Sequence, residues 1–379
     1  MVMKSLDGMY RGGLYDHIGY GFTRYSTDER WLVPHFEKML YDNALLVMAA
    51  ADAYQVTRTE ELANVIREVI TYIERVMTDP LGGFYCAEDA DSEGVEGKFY
   101  VWTLGEVISV LGEEEGRLFA EVYDITPEGN FESYSIPNLI KQTIDEYAFK
   151  NKLDRSELIA RLDTSREKLF QAREARVHPH KDDKILTSWN GLMIAALSKA
   201  AKALQEPVYA QMAEKAYAFI EHKLVREDGR LLARYRDGES AILGYLDDYA
   251  FLSWGLIELY EATWQPQYIL AAERYTEQMF TLFGDDQSQG FYFYGNDGEQ
   301  LFTRTKEIYD GAMPSGNSAA TMNLMKLARL PKPSRVGGSS RRAITCVFEC
   351  RSTLSSRAHV VFVFSGYGLP SRSGDSYYR

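Results

Sequence analysis

Residues 187–205 and 246–263 each read as a helix that is apolar on nearly every side. Each is followed within a few residues by a helix, 207–224 and 267–283, that keeps one charged face (Glu214 and Lys215; Glu273 and Arg274). Residues 34–55 and 59–78 repeat the couplet, the first opening on Pro34, a residue favoured at a first helical position, and 315–330 repeats its first half. The pattern is restrictive, because a helix apolar all round has to be buried while its partner faces water on one side. Buried and half-buried helices alternating at a period of about 55–70 residues require an inner and an outer ring. The expected fold is mainly α, an (α/α)6 toroid of helical hairpins, incomplete, with short β-hairpins in its connections.

Those connections are glycine-rich and aromatic: Gly82–Cys86, Gly229–Tyr235 and Gly290–Tyr294 read as short strands. A hairpin is expected between 83–88 and 98–102, after which Thr103 and Glu106 form a capping box that starts a further helix. Charge is uneven along the chain. The net charge is −13, yet residues 331–379 carry 8 Lys+Arg against 2 Asp+Glu, which leaves −19 on residues 1–330. The expected organisation is a toroid domain over 1–330 and a basic, Ser/Arg-rich tail over 331–379, poorly ordered or frame-shifted. An acidic body argues against nucleic acid as a partner, since phosphate-tracking surfaces concentrate Lys and Arg. No apolar run reaches about 18 residues and the first residues lack an apolar signal core, so neither membrane spanning nor secretion is expected. Cys86, Cys346 and Cys350 form no CxxC pair, which fits a reducing compartment, the cytoplasm.

The residues able to do chemistry gather at the starts of the buried helices, which would converge on one rim of a toroid. They are His35, Lys38 and Asp42, spaced along one helical face; Ser188, Trp189 and Asn190; Tyr245, Asp247 and Asp248; and Ser315, Gly316 and Asn317. Helix capping by Thr187 or Ser188, Asp247 and Ser315 accounts for part of this set, but not for charges inside a buried helix. The acidic loop around Asp89 and Asp91 matches several positions of a calcium loop but has Tyr100 where a bidentate Glu is required. His178 and His180 form a lone HxH, too little for a zinc site. Gly12, Gly13, Gly19 and Gly21 do not meet nucleotide-loop spacing. No metal and no cofactor are expected.

The run GGLYDHIGYGFTRYSTDERWLVPHFEKMLYDN (12–43) is more specific than a generic helix. So are LGGFYCAEDADSEG (81–94), KFYVWT (98–103), KILTSWNGLMIAAL (184–197), YLDDYAFLSWGLIELYEAT (245–263) and MPSGNSAA (313–320). Together they resemble the YyaL-like / spermatogenesis-associated protein 20 family of thioredoxin-domain-containing proteins, over roughly residues 5–330. The resemblance implies a six-hairpin-glycosidase-like region related to the N-acylglucosamine 2-epimerase class, here without the family's thioredoxin-like domain and without the start of the first toroid helix. It implies a sugar as small-molecule ligand and leaves three readings. An epimerase-like or isomerase-like site would move a proton beside a sugar carbonyl with His17, His35 and His180. A glycosidase-like site would flank the bond with two carboxylates from Asp42, Asp89, Asp91, Asp183, Asp248 and Asp310. A non-catalytic binding or scaffold module would spend the same residues on caps. Substrate contacts would come from Arg24, Trp31, Lys38, Trp189, Asn190, Tyr245, Asp247, Ser315 and Asn317.

Overall fold

In the computed structural model of the chain, residues 1–330 are described, apart from 286, 288, 289, 300 and 301. The tail at 331–379 lies outside the described residues, and with it Cys346 and Cys350. The chain opens with the amphipathic α1 (Val2–Arg11), and β1 (Lys38–Met39) then leads straight into α2 (Leu40–Thr57) and α3 (Glu60–Val76). β2 (Ala87–Glu88), β3 (Asp91–Ser92) and β4 (Val95–Glu96) precede an inserted group, α4 (Leu104–Leu111), α5 (Glu113–Val122), α6 (Ile144–Asn151) and α7 (Arg155–Glu174). The couplets resume with β5 (Lys181–Asp182), β6 (Ile185–Leu186), α8 (Thr187–Leu204) and α9 (Pro207–Lys223). β7 (Leu232–Arg236), β8 (Glu239–Leu243), α10 (Leu246–Thr263), α11 (Pro266–Phe283) and α12 (Gly316–Leu327) follow.

The helices apolar all round form the inner row, α2 against α8, α8 against α10, α10 against α12, with α3, α9 and α11 packed outside them. Leu192 to Leu197 of α8 and Tyr249 to Leu252 of α10 are fully shielded from solvent. Their crossing is set by glycine: a methyl on Gly191 would lie 2.6 Å from the Leu252 amide, and one on Gly255 the same distance from the Gly191 carbonyl. α2, α8 and α10 each end on a left-handed residue, Arg58, Gln205 and Trp264, whose N–H closes on the carbonyl four residues back. Thr59 or a proline at the first helical position then opens the outer helix.

A second repeat ties each inner helix to the strand-like segment before it. In the first turn, Asn43 accepts from the Phe22 N–H and donates to its carbonyl; Asn190 does the same with Phe84, and Asn317 with Phe291. In α10 the equivalent position is Tyr249, whose hydroxyl accepts from the Leu231 N–H at 3.0 Å. Nine residues further along each of these helices stands a charge, in the order Asp52, Lys199, Glu258, Lys326. The signs alternate around the row and neighbours pair: Lys199 with Asp52 at 2.8 Å, Lys199 with Glu258 at 4.0 Å, and Lys326 with Glu258. Lys202 adds a third cation, 2.8 Å from the buried Glu258.

The inserted helices have their own core around Trp102, Val107, Phe119 and Leu169. Thr103 with Glu106 makes the expected capping box, and Thr143 with Glu146 makes another. Two local expectations are corrected. The helix expected from Pro34 starts at Leu40, because Pro34 bridges Ser26 and Lys38–Met39 pair with Ala87–Glu88 as strands. The hairpin expected between 83–88 and 98–102 does not form. β2 pairs on one side with β1 and on the other with β5, Trp102 bridges Ser135, and the tight hairpin is β3–β4. In both places long-range strand pairing takes backbone groups that a local reading assigns to neighbours in sequence.

Candidate active site at the helix-start rim

The inner helices run in register, so their first turns meet at one rim. Asp42 is the third residue of α2, Trp189 of α8 and Asp248 of α10. Asp248, 2% exposed, accepts the Ser188 N–H at 2.9 Å from the neighbouring helix and the Tyr245 N–H at 2.8 Å from its own. Burial still pushes its carboxyl up to about 7. Asp42 is pushed up to about 7 by burial, against the pull of Arg24, and its Oδ2 is buried with no hydrogen-bond partner. Asp247, on the α12 side against Gly316, is pushed up to about 6 by burial and then by Glu307. Three carboxyls close to neutrality on one rim are poised to give and take protons near pH 7.

An aromatic and cationic wall continues from Asp42. Trp189 meets Tyr41 edge-on at 4.8 Å, and the Tyr41 hydroxyl accepts from Arg24 Nε at 3.1 Å. Arg24 also pairs with Glu37 at 3.2 Å, and Glu37 lies 3.4 Å from His35 Nδ1. The His35 ring stacks on Tyr25, 5.1 Å between centroids and 3° from parallel. On the far side Tyr245 stacks on Phe293 at 5.0 Å. Ser315 caps α12, and its N–H is taken by Asp310 at 2.9 Å. Trp189, Tyr245 and the Tyr25–His35 pair set flat aromatic rings beside groups that can hydrogen-bond.

The rim therefore gathers Arg24, His35, Asp42, Trp189, Tyr245, Asp247, Asp248, Asp310 and Ser315. The remaining expected site residues are engaged elsewhere. Asn190 and Asn317 spend their amides on the backbone clamps described above. His17, 5% exposed, lies among Tyr10, Tyr15 and Tyr123 with Nε2 against the Gly12 carbonyl, and burial pushes it down to about 4. Trp31 packs on Gly8 and Gly12 of the α1 region. Lys38, 1% exposed, donates to Asp16 at 2.8 Å and to the Tyr20 carbonyl, and Arg173 of the insertion grips the same Asp16 with both Nη atoms. Burial opposes ionisation of Asp16, but these two cations outweigh it and hold the carboxyl far below its usual range. Asp89 and Asp91 are exposed, Asp89 accepting from the adjacent Ala90 N–H. His180 is exposed on the β5 side, and Asp183 is paired with Arg236 at 2.8 Å. Among the described residues no group of three or more His, Cys, Asp or Glu is placed to hold a metal, and no helix is long and apolar enough to cross a membrane.

Sequence reading missed Tyr25, Glu37 and Tyr41. Reading 34–55 as one helix put Glu37 on a helical face, when it belongs to the extended segment that folds back on Tyr25; only the cluster of aromatics around Arg24 hinted at a wall.

Inner and outer helices in this arrangement, with small antiparallel sheets in the connections, define the (α/α)6 toroid class of the six-hairpin glycosidases and sugar epimerases. A solved cellobiose 2-epimerase from Spirochaeta thermophila superposes with a TM-score of 0.54 at 11% identity, over 93% of this chain and 71% of that one. No family model matches the chain. Mouse spermatogenesis-associated protein 20 is 35% identical over 361 residues, and an uncharacterised Caenorhabditis elegans protein is 33% identical over 359, each match covering 86% of this chain. The chain belongs to the spermatogenesis-associated protein 20 family, and it spans about half the length of these relatives, 46% of the mouse protein and 49% of the worm one.

Proposed function

We propose that the rim binds a sugar and transfers a proton beside its carbonyl, an epimerase-like or isomerase-like reaction, with Asp42 and His35 as the proton-handling groups. The observation that carries this reading is Asp42, a half-buried carboxyl raised to about 7 whose Oδ2 is shut off from solvent without a partner, set in a wall of Arg24, Tyr41 and Trp189. A group titrating near the working pH is the efficient choice for general acid–base catalysis. Asp248, which joins α8 to α10 through two N–H groups, holds the rim in shape. Of the three histidines considered, His35 alone has a place in it. Hydrolysis by paired carboxylates is the weaker reading: it needs one carboxylate firmly ionised opposite a protonated one, and Asp42, Asp247 and Asp248 are each pushed toward neutrality.

The test is proton exchange. Reducing mono- and disaccharides incubated with the chain in D2O should gain deuterium at the carbon next to the carbonyl, read by NMR. Asp42→Asn and His35→Ala should each cut the exchange rate by roughly 100-fold or more with the helical circular dichroism unchanged. Exchange that survives both substitutions, or that no sugar undergoes, would refute the assignment.

A further inference from the structure

The β6–β7–β8 sheet carries a cation that nothing in the fold uses. β7 pairs with β6 and β8, so Tyr235 lies opposite Ile185 and Arg234 opposite Leu186. Alternation sends their side chains to opposite faces. Tyr235 and Ile185 face the core, Tyr235 meeting Phe219 of α9 edge-on at 5.2 Å. Arg234 is thus on the other face, beside Leu186, the residue that leads into α8 and the Ser188 N–H held by Asp248. It is half-buried, its Nε is shut off from solvent with no hydrogen-bond partner, and among the described residues no carboxylate, carbonyl or ring meets its guanidinium. Other cations of the sheet and the rim have partners: Arg236 has Asp183, Lys184 has Asp182, Lys223 lies over the Tyr235 ring, Arg230 has Asp297, and Arg24 has Tyr41 and Glu37.

A half-buried guanidinium without an acceptor is costly, and its planar fork matches an oxyanion. We propose that Arg234 reads the ligand's anionic group, so that the sugar taken by the rim carries a carboxylate or a phosphate. The inference rests on the sugar reading above and narrows it from sugars to acidic sugars. The chain's net charge of −13 repels anions at long range, so a dedicated local cation is what an acidic ligand requires. Asp42, Asp247 and Asp248, raised toward neutrality, add little opposing charge at mildly acid pH.

Binding of glucose, glucuronate, glucose 6-phosphate and inorganic phosphate to the full 379-residue chain decides it, by calorimetry at low and at 150 mM salt. Glucuronate or glucose 6-phosphate should bind about tenfold or more tighter than glucose, with the margin shrinking as salt is raised. Which of the two prevails separates a carboxylate from a phosphate ligand. Arg234→Gln should bring the acidic sugar down to the affinity of glucose. Arg234→Lys, which keeps the charge but not the fork, should retain part of the margin, and both variants should melt like the parent. Glucose binding as tightly as the acidic sugars, or a margin that persists in Arg234→Gln, overturns this inference and leaves the sugar reading standing. Inorganic phosphate binding with no sugar binding overturns both.

Discussion

His17 and Asp42 are displaced from their ordinary pKa values by the same cause, burial, with opposite consequences for pH dependence. The Asp42 carboxyl is raised in the fold, so between about 4 and 7 the folded chain holds a proton that the unfolded chain has lost, and stability falls as pH rises through that window. His17 is lowered to about 4, so its contribution is present above the usual histidine value and is lost as pH falls from 6.5 toward 4. Asp42→Asn should therefore gain thermal stability over the parent as pH goes from 5 to 8, and His17→Phe should flatten the acid limb below pH 6.5. Melting temperatures across pH 4–8 check both, and an Asp42→Asn advantage that does not grow with pH would contradict a carboxyl raised by burial of its unpartnered Oδ2. At this scale the residue types were legible in the chain but their employment was not. Asn190 and Asn317 have the composition of ligand contacts and the geometry of backbone clamps, a difference visible only once Phe84 and Phe291 are in place.

Between the central helices the governing contact is glycine on backbone. Gly191→Ala would put a methyl 2.6 Å from the Leu252 amide and 2.7 Å from the Phe251 carbonyl, so α8 and α10 would have to part. Overpacking of this kind costs about 1–3 kcal/mol, read as a lower denaturation midpoint. Gly105, in the first turn of α4, is the matched control, since the nearest atom to an added methyl there is 4.0 Å away. Gly105→Ala should stabilise by roughly 0.5–1 kcal/mol through the unfolded chain alone. A Gly191→Ala variant as stable as the parent would refute the close crossing. The couplets from α8 to α11 lie within a residue or two of their expected bounds, because a helix apolar all round advertises itself without any partner. The start of α2 and the 83–102 region were misread because backbone partners such as residues 87–88, 135 and 181–182 are distant in the chain.

Across the whole molecule, the alternating charges Asp52, Lys199, Glu258 and Lys326 bind four inner helices at the end opposite the rim. Burial opposes ionisation of Glu258, yet Lys199, Lys326 and Lys202 outweigh it and bring its carboxyl down to about 2. Its contribution to stability is thus present above the usual carboxylate range and is lost as pH falls from 4.5 toward 2. Glu258→Gln should destabilise the chain by about 3–5 kcal/mol, because three cations lose their common partner. Part of the loss should return when Lys202→Met is added, and additive effects in that double-mutant cycle would show that the charges act separately. Periodic burial, helix pairing and the run from Gly12 to Asn43 were enough to specify an (α/α)6 toroid of this family, since those signals are local and repeat every couplet. Which of the polar residues share a site was decided only by tertiary structure. Register between helices far apart in sequence brings Asp42, Trp189 and Asp248 to one rim, while long-range ion pairs withdraw Lys38 into the interior.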